Sequence, residues 1–336
     1  MPNMRAVQVS RPGGPLELVE RPIPDPGPGS VRIKVQACGI CHSDAYVKSG
    51  AFPGLKLPRI PGHEIAGRVD KVGANVTQWK KGDRVGVGWH GGHCFVCNAC
   101  RKGLFLNCER AQVTGISYDG GYAEYVVVPS EAAARIPEKL EATEAAPLLC
   151  AGVTTYNALR NSGARPGDTV AVQGIGGLGH LAIQYAAQMG FRTVAISRGA
   201  DKRDLAQQLG AHEYVDTAGG PAAEELRKLG GADLVLATAP NSEAIAGTLE
   251  GLKPRGKLLI VAAPFEPLKI SALTLLSGKN VAGWPSGSSI DSEETVAFSV
   301  LTGVRPRVEV FKLEQAEQAF GKMMENRVRF RAVLTP

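Results

Sequence analysis

The sequence predicts an α/β chain of two domains, one a doubly wound parallel sheet and the other a smaller, irregular β-barrel unit. Three observations carry this. The chain has 336 residues, more than one ordinary core supports and suited to two. From residue 169 onward, apolar strands alternate with amphipathic helices, the pattern of a parallel sheet covered on both faces. Before residue 142 the strands are short and broken by Pro and Gly.

In the first third, residues 5–9, 30–36 and 65–72 read as strands. The run PIPDPGPG at 22–29 is too proline-rich for helix and reads as an extended connector. GDRVGVG at 82–88 and GGYAEYVVV at 120–128 each read as a turn followed by a strand. Helical period begins at 144–158. The sheet strands are expected at 169–173, 193–197, 234–237 and 257–262, with helices at 178–189, 202–209, 221–229 and 241–252. The tail predicts helices at 292–301 and 313–325 and a strand at 330–334.

Composition removes several function classes. Lys+Arg exceeds Asp+Glu by 38 − 32 = +6, with no basic run, so a nucleic-acid partner is not expected. No apolar stretch reaches the roughly 18 residues that span a bilayer, so no membrane partner is expected. The N-terminus lacks the basic-then-apolar order of an export signal, and a cytoplasmic, reducing setting is expected. Two counts stand out: 41 glycines and 7 cysteines.

Four of those cysteines, Cys94, Cys97, Cys100 and Cys108, share one 15-residue loop. Structural zinc wants four soft ligands in a closed tetrahedron, and two-residue gaps let a turn wrap the ion. Free or disulfide-paired thiols are the alternative, but one shared metal satisfies all four at once. Three further residues stand apart: Cys41 in ACGICHSD, His63 in PGHE, and Cys150 after PLL. Two Cys and one His would give a catalytic zinc three protein ligands and one open position, where the ion's charge makes an alcohol easier to deprotonate. Spacing alone does not establish such a site; the company of the closed cysteine loop raises it.

With these motifs in this order, the chain resembles a zinc-dependent alcohol dehydrogenase of the medium-chain dehydrogenase/reductase superfamily over essentially its whole length. The resemblance implies a Rossmann dinucleotide-binding domain inserted in a GroES-like catalytic domain. The limits expected are 1–152 for the catalytic domain, 153–287 for the nucleotide domain, and 288–336 for a return segment completing the first. It implies a catalytic zinc on Cys41, His63 and Cys150, with Glu64 close behind and able to ligate transiently. Asp44 would orient the zinc-binding His, and Ser43 would take the substrate hydroxyl proton. Many relatives carry a His three residues after that Ser, ending a proton relay; here the position is Tyr46, a poor base near neutral pH. Cys38 matches no ligand position and is expected to be buried.

Gly174-Ile175-Gly176-Gly177-Leu178-Gly179 fits G-x-G-x-x-G between an apolar strand and a helix, the context that makes this motif a dinucleotide site. Gly174 permits the tight turn, Gly176 the approach of a pyrophosphate, and Gly179 close helix packing. The second strand ends in Ser197-Arg198-Gly199 with no acid at its tip. Ser197 and Arg198, with Lys202 nearby, can accept a 2′-phosphate that a carboxylate would repel, so NADP(H) is favoured over NAD(H). A solvated Arg198 and binding of both cofactors is the alternative.

The resemblance adds His42, Thr154 and Arg331 as cofactor contacts, although Arg331 also suits a solvated strand position. Phe52 and Trp89 match pocket positions, and with Tyr46 would form a narrow apolar slot for primary alcohols or aldehydes; core packing is the alternative. The expected reaction is hydride transfer between a nicotinamide cofactor and such a substrate, in a cleft between the domains. A zinc-free enone or quinone reductase of the same superfamily, or a non-catalytic nucleotide-binding protein, are the rival readings. A homodimer or homotetramer, joined through an edge strand near 279–283, is also implied.

Overall fold

The structure is a computed structural model and describes residues 2–262, 264 and 266–336. Two compact units emerge, one formed by the chain through Val153 with Gly287–Pro336, the other by Thr154–Ser286.

The first unit is organised by the strand Ser30–Gly39. Its outer part alternates buried and exposed residues, with Val31, Ile33 and Val35 in the core. From Ala37 to Ile40 every residue is buried, so this end of the strand leads into the interior. Ser30–Gly39 pairs antiparallel with Ile65–Val72, with Tyr125–Pro129 and, at its inner end, with Arg331–Thr335. The seven-stranded sheet runs Val308–Lys312, Arg331–Thr335, Ser30–Gly39, Ile65–Val72, Arg84–Val87, Ala133–Arg135, with Tyr125–Pro129 off this path. The last two strands of the chain thus complete a sheet begun by the first hundred residues. A hairpin of Asn3–Val9 and Leu16–Pro22 adds apolar side chains to the same core.

The helical period expected over 144–158 is interrupted. Ala142–Pro147 is α-helix, Leu148–Gly152 is a single π turn, and α-helix resumes at Val153–Arg160. Pro147 has no N–H to give back to the preceding turn, and the wider π turn follows it. Cys150 sits inside that turn.

The second unit is a six-stranded sheet, parallel throughout. Its order is Glu213–Asp216, Arg192–Ser197, Thr169–Gln173, Ala232–Ala237, Leu252–Ile260, Asn280–Gly283. Every residue of Thr169–Gln173 is buried, as a central strand covered on both faces requires. Two expectations change here. The helix expected at 241–252 is the short Ser242–Ala246, capped by the Asn241 side chain, followed by a 3-10 turn Leu249–Gly251. The strand expected from 257 starts at Leu252. Gly251 packs so closely against Leu226 that a Cβ there would meet that side chain at 2.8 Å, and the strand begins at the next residue.

Candidate functional site

Cys41, His63, Glu64 and Cys150 come from three separate local structures of the first unit, His63 and Glu64 being neighbours in one. Cys41 follows the buried end of Ser30–Gly39, in a turn closed by Asp44 N–H donating to the Cys41 carbonyl at 3.0 Å. The six-residue helix Asp44–Ser49 then begins, with Ser43 at its N-cap position and His42 exposed. His63 and Glu64 precede the strand Ile65–Val72. Gly62, immediately before His63, has φ +101°, and a Cβ there would strike the Tyr122 ring, so both backbone and space demand glycine. One ligand atom from each of the four residues lies within 4.8 Å of the others.

The donor set fits zinc. Cys41 Sγ and Cys150 Sγ are 3.9 Å apart. Two Zn–S bonds of about 2.3 Å at a tetrahedral angle span about 3.8 Å. The Cys150 thiol lowers the Cys41 pKa well below its ordinary value, while Cys41 and burial push Cys150 well above its own. A divalent cation resolves this conflict by stabilising both sulfurs as thiolates. His63 Nε2 is buried with no hydrogen-bond partner, and its other nitrogen, Nδ1, lies 3.4 Å from Asp44 Oδ1. Burial is the largest single influence and would lower the His63 pKa, but the Asp44 carboxylate and the Cys41 sulfur together raise it well above its ordinary value.

Glu64 is fully buried, and burial raises its pKa to about 7 despite the opposing charge of Arg331. A lone buried carboxylate costs many kcal/mol, so a buried cation beside it is the expected arrangement. Arg331 provides it: its guanidinium pairs with Glu64 and donates to the Ile40 carbonyl at 3.1 Å. Arg331 Nε is buried without a partner. A Cβ at Gly39 would overlap the Glu64 carboxylate, so the strand end needs glycine to admit that acid.

The second cluster is local. Cys94, Cys97, Cys100 and Cys108 also bring one sulfur each within 4.8 Å of one another. Pairs of sulfurs lie 4.0 Å (Cys94–Cys100) and 3.9 Å (Cys97–Cys108) apart, again tetrahedral edges rather than disulfides. Backbone N–H groups of Cys97, Cys100 and Arg110 donate to Cys94, Cys97 and Cys108 at 3.4, 3.5 and 3.3 Å. Those donors favour thiolates; the Cys97 N–H is the main reason that Cys94 falls to about 6.

In the second unit, the strand Thr169–Gln173 runs into Gly174 at φ +93°, and the helix Gly179–Gln188 opens after the turn. A Cβ at Gly174 would meet Ala239, and one at Gly179 would overlap the Gly174 carbonyl. Gly176 has open space around it, and Gly177 and Leu178 are half-buried. Strand, bare turn and helix N-terminus form the cradle that a pyrophosphate requires.

Residues 27–138 match the alcohol dehydrogenase GroES-like domain, and residues 177–300 match the zinc-binding dehydrogenase domain. Alcohol dehydrogenase notN of Aspergillus sp. is 49% identical over 324 residues, covering 96% of this chain and 95% of that one. The chain belongs to the zinc-dependent alcohol dehydrogenases of the medium-chain dehydrogenase/reductase superfamily. An alcohol dehydrogenase of Geobacillus stearothermophilus is 40% identical over 334 residues, covering 98% of this chain and 99% of that one. The solved cinnamyl alcohol dehydrogenase of Sorghum bicolor superposes with TM-score 0.90 at 33% identity, covering 99% and 98% of the two chains. The protein is therefore a zinc-dependent oxidoreductase acting on alcohols with a nicotinamide cofactor, built from a GroES-like domain and a Rossmann domain.

Around the first cluster of this alcohol dehydrogenase, Trp89 stands edge-on to His63 with ring centroids 4.9 Å apart, and Phe52 meets Trp89 at 6.3 Å. Tyr46 is half-buried on the helix Asp44–Ser49. At the tip of Arg192–Ser197, Arg198 is exposed and Lys202 half-buried. Asp216 lies opposite Ser197 in register, but its Oδ1 accepts from the N–H groups of Gly199 and Ala218 at 2.7 and 2.8 Å. Thr154 is buried at the start of the second unit. Cys38 is fully buried.

Sequence reasoning missed three features near these sites. Tyr122, fully buried, donates its hydroxyl to Asp44 from 78 positions away, and no local pattern marks it. Gly39 carries no sequence signal for its closeness to Glu64. His90 and His93, beside the cysteine loop, approach at 3.1 Å between Nε2 and Nδ1. Burial lowers the His90 pKa to about 4. Among the described residues no helix is long and apolar enough to cross a membrane.

Proposed function

We propose that this dehydrogenase interconverts primary alcohols and aldehydes using NADP(H), with catalytic zinc on Cys41, His63 and Cys150 and structural zinc on Cys94, Cys97, Cys100 and Cys108. One observation carries the reading: two thiols, a buried acid and an imidazole nitrogen lacking any other partner converge within 4.8 Å. Cys41, His63 and Cys150 would hold a zinc ion whose Lewis acidity would polarise a substrate oxygen, and a nicotinamide cofactor would supply the hydride acceptor or donor. Glu64, balanced by Arg331, sits behind the ligands as an acid whose charge the site can afford only beside a cation. Ser43 accepts the substrate hydroxyl's proton and passes it outward; Tyr46 cannot finish that relay as a base near neutral pH. Trp89, Phe52 and Tyr46 supply an apolar wall suited to an alkyl or aryl tail. His42, Thr154 and Arg331 are further cofactor contacts in this reading, Arg331 being buried against Glu64 and the Ile40 carbonyl rather than solvated. A zinc-free reductase would give Cys41, His63 and Cys150 no reason to converge, and no observation favours it.

The preference for NADP(H) rests on Ser197, Arg198 and Lys202 at a strand tip where Asp216 is already committed to backbone N–H groups. Replacing Arg198 with Ala is expected to raise KM for NADPH about tenfold, the loss of one charged hydrogen bond to phosphate, and to leave KM for NADH unchanged. Initial rates over alcohols and aldehydes of graded chain length, with both cofactors, check this. Wild-type preference for NADH overturns the cofactor reading, and no turnover with any primary alcohol or aldehyde overturns the substrate reading.

Two further readings go with it. Cysteines grouped for metal rather than paired as disulfides suit a cytoplasmic, reducing setting. Asn280–Gly283 is a sheet edge near Leu273 and Leu276, which are 78% and 82% exposed on one short helix. An unpaired edge beside exposed leucines suits a second copy of the chain. Light scattering is expected to give a mass of two or four chains; a monomer at micromolar concentration overturns it.

A further inference from the structure

We propose that Tyr122 is a positioning residue for the catalytic metal, holding Asp44 so that the carboxylate aims His63 at the ion. This rests on the assignment of zinc to Cys41, His63 and Cys150.

Asp44 uses its two carboxylate oxygens differently. Oδ2 accepts two hydrogen bonds, from the Cys41 backbone N–H at 2.8 Å and from the Tyr122 hydroxyl at 2.8 Å. Oδ1 has no hydrogen-bond partner and faces His63 Nδ1 at 3.4 Å. Two donors on one oxygen fix the plane of the carboxylate and leave the other oxygen for the imidazole. Asp44 thus ties together the backbone of one sulfur ligand and the ring of the nitrogen ligand.

Tyr122 can act as the fixed point because its own backbone is held on both sides. Its N–H donates to the Pro61 carbonyl at 3.1 Å, one residue before Gly62-His63, and its carbonyl accepts from Val7 at 2.7 Å. Its ring fills the space that a Cβ at Gly62 would need. The phenol is fully buried, so its hydroxyl has no water to fall back on. A hydroxyl donating to a buried carboxylate is among the stronger side-chain hydrogen bonds. Among the described residues, Tyr122, Asp44 and His63 form a chain from the buried phenol to the ring of the nitrogen ligand.

The test is zinc release from the intact holoenzyme to a pyridylazo-resorcinol indicator, read as the rates for two ions per chain. The phase missing in Cys41→Ser identifies the catalytic ion. Tyr122→Phe, which removes one hydroxyl and keeps the ring, is expected to release that ion roughly tenfold faster, within the range for outer partners of metal ligands. The structural ion should leave at the wild-type rate. Tyr118→Phe, which removes a hydroxyl bonded to the Gly91 carbonyl, should behave as wild type. On an Asp44→Asn background, Tyr122→Phe should add little, because its effect passes through that carboxylate. A folded Tyr122→Phe with both phases unchanged overturns the proposal, as does one that loses both ions or its fold. A fully additive double variant overturns it as well. A wild-type chain that holds only one zinc overturns the metal assignment itself.

Discussion

Replacing Cys41 with serine is expected to lower kcat by a factor of 10³ or more, about 4 kcal/mol of transition-state stabilisation at roughly 1.4 kcal/mol per decade, while the fold and cofactor binding remain. Serine keeps the size of cysteine but offers a hydroxyl far weaker than a thiolate as a zinc ligand. Only one donor of the Cys41, His63, Cys150 set changes, and Asp44 still receives the residue-41 backbone N–H. The glycine turn belongs to the other unit and loses nothing. Metal analysis should fall from two zinc per chain toward one, and NADPH binding followed by fluorescence should be unchanged. A Cys41→Ser enzyme with near-normal turnover would falsify the catalytic-zinc assignment.

Cys97→Ser should act on stability instead. The loop from Cys94 to Cys108 has little apolar surface of its own to fold around; Phe95, Val96 and Leu104 are exposed. What holds it is four sulfurs at tetrahedral spacing and the N–H groups aimed at three of them. Structural zinc contributes its binding free energy directly to folding. With one sulfur gone, the apparent Tm is expected to fall by about 10 °C or more, with aggregation on heating. Scanning calorimetry and zinc content check this. A Cys97→Ser protein with wild-type Tm shows that the loop does not depend on a metal. The two substitutions together separate the clusters: one is expected to remove activity without the fold, the other to remove stability first.

Much of this was legible in the chain because the signals are short-range. The cysteine loop spans 15 residues, and spacing alone brings its sulfurs together. The phosphate turn is one strand, six residues and one helix, a unit whose geometry glycine dictates locally. Period-2 and period-3.6 patterns located most strands and helices. Where local signals competed with packing, reading along the chain failed. The helix expected across 144–158 contains a π turn after Pro147, and the helix expected at 241–252 gives way where Gly251 must pack on Leu226. The edge strands Glu213–Asp216 and Val308–Lys312 were too short or too polar to stand out.

The sequence by itself determined the alternation of elements, the closed cysteine loop and the bare glycine turn, because each depends on contacts within a few residues. Tertiary structure alone decided how Cys41, His63, Glu64 and Cys150, spread over 110 positions, come within 4.8 Å. It also decided that Arg331, from the final strand, neutralises Glu64 and that Tyr122 anchors Asp44. The physical reason is the same in each case. A buried charge is too costly to leave uncompensated, and the group that relieves it comes from whichever distant segment the fold brings alongside, the final strand for Arg331 and the bend before Tyr125–Pro129 for Tyr122.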